Sequence, residues 1–188
     1  FASFLKQYTE SLNTYYIPIE QIDTVDMAYE IRKGYREIAD QYKIIPPAEY
    51  LRAKPMLIPS LISSVGVLGY INPFFIEANL NQNLLPVQLP STYAHEMAHV
   101  LGVSGEAEAT LYSYLICTQS ENAQLRFAGY FSIFSYVVGN VYMLLGKEEF
   151  ENWTQTLRPE IKDLYNAKNA HWESLYSPTI GSIQNKIY

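Results

Sequence analysis

Cysteine is nearly absent from the sequence: Cys117 stands alone among 188 residues, which excludes an intrachain disulfide and any zinc site built on several thiolates. Histidine is scarce too, at three per chain, so a metal site would have to combine His with carboxylates. Positive charge is short. Against 19 Asp and Glu stand 13 Lys and Arg, a net charge of −6, and this balance argues against a nucleic acid or an anionic membrane surface as the main partner. Charged residues of both signs make up only 17%, below the roughly 25% usual in globular proteins. The chain begins at Phe1 and lacks a basic segment followed by a cleavable apolar run, so it reads as a soluble piece of a longer protein.

What the sequence has is apolar and aromatic surface to bury. With 48% hydrophobic residues and 17 tyrosines it can form one sizeable core in a single domain over 1–188, with a tyrosine-rich, weakly charged exterior. The expected class is mainly α, strictly α+β. Residues 1–50 read as a helical scaffold: Leu5, Tyr8 and Leu12 recur at helical spacing up to about Tyr16, and Met27, Ile31, Tyr35 and Ile38 do so from about Asp23 to Tyr42, before Pro46-Pro47. Residues 55–90 are proline-rich with short apolar runs and read as strands and turns. Within them Phe75 to Asn81 alternates, which puts Glu77, Asn79 and Asn81 on one face of an extended chain. Helical patterns resume at Pro90-Ser91, with Ser91 or Thr92 as cap, and cover 91–145 and, after a turn at Gly146, 147–188. The stretch from Phe127 to Gly146 carries no charge and is about long enough to span a bilayer. Its tyrosines and Asn140 are scattered along it instead of gathering at its ends, so it is assigned to a buried core helix.

The chemistry concentrates at His95-Glu96-Met97-Ala98-His99, an HExxH motif holding two of the three histidines. On a helix, His95 and His99 project from one face a turn apart and can share one Zn²⁺, while Glu96 beside them reaches a metal-bound water. Zinc lowers the pKa of such a water from about 15.7 towards 7 and the carboxylate takes its proton, which is the chemistry of metal-assisted amide hydrolysis. A third ligand is needed, and a carboxylate is indicated. Gly102 breaks the helix, and Glu106 and Glu108 sit in the acidic first turn of the next.

These residues resemble the gluzincin pattern, in which a later helix supplies a ligand glutamate after HExxH. More closely, GYINPFFIEANLN, HEMAHVLG, GEAEA and the run Arg126 to Tyr130 resemble a bacterial family of unknown function whose members carry an HExxH domain behind N-terminal membrane helices. The resemblance implies a single zincin-like domain, a membrane-anchored zinc peptidase acting on a peptide or protein substrate outside the cytoplasm, with the anchor absent from this chain. It implies Glu106 as third ligand with Thr110, one turn on, bracing a ligand histidine; Glu108 is the alternative. The chain departs from the family at Thr110, where Asn is expected, and at Gly105. Arg126 is expected to pair with whichever glutamate is free, His171 to stabilise an oxyanion, and Glu77, Asn79 and Asn81 to line a bound substrate strand. The rival reading is a metal-holding domain that binds or senses without turnover; a third is hydrolysis of a non-peptide amide.

Overall fold

The computed structural model describes residues 1–72 and 74–177; the part of the expected C-terminal helices at 178–188 lies outside the described residues. In chain order the elements are α1 Ala2–Thr14, α2 Met27–Tyr42, β1 Lys54–Pro55, α3 Pro59–Ser63, β2 Gly69–Asn72, β3 Glu77–Leu80, α4 Leu89–Val100, α5 Glu106–Gln119, α6 Ala123–Ser132, α7 Phe134–Gln155 and α8 Pro159–Leu175. The protein is mainly helical with a small sheet ahead of the HExxH helix, as the sequence leads one to expect.

Several helix starts differ from the sequence reading for identifiable reasons. Helix α2 begins at Met27 because the Asp23 carboxylate accepts the Val25 N–H at 2.9 Å, a local turn that competes with helix. Helix α4 begins at Leu89, with Gln88 at its N-cap and Pro90 in the first turn, where a missing N–H costs nothing. The Ser91 hydroxyl donates to the Gln88 carbonyl and caps nothing. The proline-rich region also contains α3, which Pro59 starts.

The sheet order is β1-β3-β2, with β1 parallel and β2 antiparallel to β3. Strand β3 is therefore the middle strand and β2 an edge. Two apolar clusters surround this frame. One joins α2, β3, α4 and α5 through Ile31, Tyr35, Leu80, Tyr93, Met97 and Ile116. The other joins α1, α6, α7 and α8 through Leu12, Phe127, Phe131, Phe134, Trp153 and Ile161.

The tyrosines do not all go to the surface. Tyr8, Tyr35 and Tyr93 are buried, and their hydroxyls donate to the carbonyls of Tyr130, Ala94 and Leu51 at 2.7, 2.6 and 3.3 Å. Each buries an apolar ring while its polar tip keeps a partner, which avoids the cost of an unsatisfied hydroxyl.

The uncharged stretch at 127–146 is a correction. It is two helices, α6 and the first part of α7, with Ile133 between them. Phe127, Phe131, Phe134, Val137 and Val141 enter the core, but Tyr136, Tyr142, Met143, Leu144 and Leu145 are exposed. The helical run Ala123–Gln155 is long and apolar enough to cross a membrane by length and composition, and 33% of its most apolar window is buried. At Gly146, φ of +80° breaks the helical path.

The two sides of this run should respond differently to mutation. Phe127→Ala should lower unfolding free energy by about 3–5 kcal/mol, since it empties a fully enclosed site, whereas Leu144→Ser should change it by less than about 0.5 kcal/mol. Urea melts of both variants check this; equal losses would show that Leu144 is packed.

Candidate metal centre

Helix α4 carries the site and is anchored at several points. The Tyr35 hydroxyl of α2 donates to its Ala94 carbonyl, the Ser113 hydroxyl of α5 donates to its Ser91 carbonyl at 2.6 Å, and the Trp172 indole of α8 donates to the Gln88 side chain at 2.9 Å. Three neighbouring helices are thus tied to the element that presents the histidines.

The end of α4 is set by Gly102, whose φ of +96° suits glycine. The Gly102 N–H bonds the His99 carbonyl and the Val103 N–H bonds the Ala98 carbonyl, both at 3.0 Å, the paired bonds of a Schellman end. This reversal delivers the Val103 carbonyl to His99 Nδ1 at 2.7 Å. With its proton held on Nδ1 by that carbonyl, His99 offers an Nε2 lone pair. His95 has the matching arrangement, with Thr110 Oγ1 3.4 Å from its Nδ1.

Both Nε2 atoms then face one point. They lie 3.1 Å apart, and the Glu106 carboxylate reaches them with Oε2 3.1 Å from His95 and Oε1 3.4 Å from His99. Burial and the neighbouring His99 hold the His95 pKa below its ordinary value, favouring the neutral ring, although Glu106 pulls the other way. Two imidazole lone pairs and a carboxylate oxygen therefore converge with all ligating atoms within 4.8 Å of one another. Donors on a tetrahedron around zinc at about 2.0–2.1 Å lie about 3.4 Å apart, so the set fits that ion. The Glu106 side chain is 81% exposed, and the cluster opens to solvent on that side, leaving a path for metal and water.

Glu96 stands outside the converging group but beside it, lining a cavity of about 490 Å³ that also receives His95, Glu106 and Thr110. It is 6% exposed, and burial pushes its carboxyl up to about 7. What makes room for it is Gly69 in β2. A Cβ built there would stand 2.5 Å from Glu96 Oε1, so any side chain at that position has to displace the carboxylate. A second, apolar cavity of about 740 Å³ meets the cluster at His95, Glu106 and Thr110 and is lined by Phe4, Leu111 and Val137 among others.

The remaining candidates lie elsewhere. Glu108 is exposed near Gly105 and outside the converging group. Arg126 meets no glutamate: its guanidinium donates to the Ser120 carbonyl at 2.6 Å and lies 4.8 Å from the Tyr15 ring centre, bracing the turn after α5. His171 lines neither cavity, since its Nε2 sits 2.7 Å from the Asn83 carbonyl. The row Glu77, Asn79, Asn81 belongs to the middle strand and has no free edge to offer. Glu77 pairs with Lys54 at 2.7 Å, and Asn79 and Asn81 are buried, with Asn81 bonded to Ser63 and the Val67 carbonyl. The edges of the sheet are β1 and β2, and the sequence reading missed Gly69 and also Lys168, which lines the Glu96 cavity from α8.

A family described as "Protein of unknown function (DUF3810)" matches residues 1–188. The chain belongs to this family. No curated protein and no solved structure matches it. The DUF3810 chain thus has its site defined by its own geometry.

The buried carboxyl gives a stability test on the metal-free protein. Glu96 is protonated in both folded and unfolded chains below its ordinary value of 4.5, and ionising it in the folded protein costs progressively more up to about pH 7. The gap corresponds to about 3 kcal/mol at most. Glu96→Gln should therefore stabilise the chelated protein at pH 8 by up to that amount and leave it unchanged near pH 4. A pH-independent difference in thermal melts would show that Glu96 is not ionised against burial.

Proposed function

We propose that this DUF3810 domain is a zinc peptidase, in which His95, His99 and Glu106 hold Zn²⁺ and Glu96 is the general base. The observation that carries the reading is the convergence of three neutral or anionic donors beside a separate buried carboxyl. Bound zinc supplies a Lewis acid that polarises a carbonyl and ionises water near neutral pH. The chain's own groups do the rest. Val103 and Thr110 fix the rings of His99 and His95, and Glu96, buried beside the cluster, accepts a proton and returns it to the leaving amine.

An extended peptide fits along the free edge of β2, whose Gly69 end lies against Glu96, by adding an antiparallel strand through main-chain hydrogen bonds. Side chains on either side of the scissile bond then face the two cavities. A site that only stored or sensed metal has no use for a second carboxyl held buried at a cost in stability, which favours turnover over the binding reading.

The setting we infer is a membrane-proximal domain outside the cytoplasm, supported by the family resemblance and by the exposed Met143, Leu144 and Leu145 on α7. Flotation with phosphatidylcholine liposomes should recover the protein in the lipid fraction, and Met143→Glu with Leu144→Glu should abolish it; absence of the parent from that fraction would remove this part of the reading.

Purified protein should carry about one zinc per chain, and Glu106→Gln should weaken zinc binding far more than Glu108→Gln. Glu96→Gln should keep zinc and lose digestion of a broad peptide library. Gly69→Ala should also keep zinc and fold, because only the mobile end of Glu96 must give way, but its turnover should fall by at least about tenfold with the base displaced. Zinc content unchanged in His95→Ala and His99→Ala would sink the metal reading, and full activity in Glu96→Gln would remove the base.

A further inference from the structure

The cavity that holds Glu96 contains a cation the hydrolytic chemistry does not use. Lys168, on α8, lines that cavity together with Leu68, Gly69, Ser132 and Ser135. Its ammonium donates to Ser135 Oγ at 3.0 Å and lies 4.9 Å from the Tyr165 ring centre and 5.9 Å from that of Phe131. Among the described residues no carboxylate lies within ion-pair distance of it, whereas Arg36, Lys33, Lys54 and Arg158 each have one. The aromatic rings shield its stem, and burial pulls its pKa below the ordinary lysine value. Arg32, Arg52 and Arg126 also have no carboxylate partner among the described residues, but of the residues lining the Glu96 cavity Lys168 is the one cation.

Its position relative to β2 sets what it can meet. Lys168 also lines an adjoining cavity of about 490 Å³ with Gly66 and Leu68, the residues just before the Gly69 end of β2. An antiparallel peptide on that edge runs opposite to β2, so its C-terminal half passes Gly69 and continues towards Leu68 and Lys168. A carboxylate carried on that half would gain a charge-assisted hydrogen bond and replace the weak hydroxyl contact to Ser135.

We propose that Lys168 forms an anion-recognition subsite selecting peptides with a carboxylate C-terminal to the scissile bond, supplied by the chain terminus or by an acidic side chain. The inference rests on the peptidase reading for its substrate but has a binding test of its own. Its probes are three fluorescein-labelled peptides of one neutral sequence: one with a free C-terminal carboxylate, one C-terminally amidated, and one amidated with Glu as its last residue. Their affinities for zinc-loaded Glu96→Gln protein, which does not consume them, are measured by fluorescence polarisation.

At least one carboxylate-bearing peptide should bind about tenfold tighter than the amidated neutral one, and which of the two does so identifies terminus or side chain as the source. Adding Lys168→Met, which keeps the apolar stem, should abolish the preference without changing neutral-peptide binding or zinc content; adding Lys168→Arg should retain it. No preference in the parent overturns the proposal, and so does a preference that survives Lys168→Met, because the carboxylate is then held by the metal. A Lys168-dependent preference in a protein whose wild type hydrolyses no peptide keeps the subsite and discards the peptidase reading. Hydrolysis without the preference does the reverse.

Discussion

Everything at the candidate metal centre depends on how α4 ends. The left-handed turn at Gly102 makes two backbone bonds back to Ala98 and His99 and leaves the Val103 carbonyl directly against His99 Nδ1. One local event therefore terminates the helix, sets the ring orientation of His99 and redirects the chain so that α5 starts seven residues after His99, with Glu106 facing back. A side chain with a Cβ at residue 102 would be strained in this conformation by about 1 kcal/mol or more, and the loss would fall on site geometry as well as on stability. The ordering of His95 works across a longer distance. Its partner Thr110 lies one turn into α5, and the Ser113 to Ser91 bond holds that turn against α4.

The site is also a stability liability. Two histidine lone pairs, a carboxylate and a second, buried carboxyl crowd together with no cation of their own chain between them. Such an arrangement costs free energy in the metal-free fold, which a divalent cation bound at the folded donors would return as stability. The remainder of the fold supplies what the site consumes: two aromatic-rich clusters and a set of buried tyrosines whose hydroxyls are all used on backbone carbonyls. Tyr35 belongs to both accounts, since its ring fills the core while its hydroxyl holds α4 at Ala94, one residue before His95.

How much of this is legible in the sequence depends on range. The i, i+4 spacing of His95 and His99, the glycine that stops their helix and the acidic start of the next are local signals, and they name both histidines of the converging group and narrow its carboxylate to Glu106 or Glu108. Gly69 and Lys168 are invisible at that level: nothing in the neighbourhood of either residue says that one clears space for Glu96 and the other enters the same cavity from the far end of the chain. The alternating row at Glu77, Asn79 and Asn81 shows the opposite failure. Period-two patterning correctly describes an extended strand, but it cannot tell an edge strand from a middle one, and here β3 has its backbone paired on both sides while Glu77 pairs with Lys54 and Asn81, just past the strand, bonds Ser63. Likewise, the uncharged run at 127–146 is apolar enough for either a core or a bilayer, and only the break at Ile133 reveals that its first half is enclosed while much of its second half is exposed.

The edge of β2, the recess for Glu96 and the ammonium of Lys168 follow one another in space because Leu68, Gly69 and Glu96 share one cavity wall with α8. That order has a chemical consequence. For the peptide we propose along β2, the proton-accepting group would come at Gly69 and the cation beyond it, so that reaction and recognition would be separated along the substrate. Trp172 provides the mechanical link, for its bond to Gln88 fixes α8 to the start of α4 one turn from Lys168. A helix pinned there holds the cation at a set distance from the histidines, which is the condition a subsite must meet if it is to register a substrate against a fixed reactive centre.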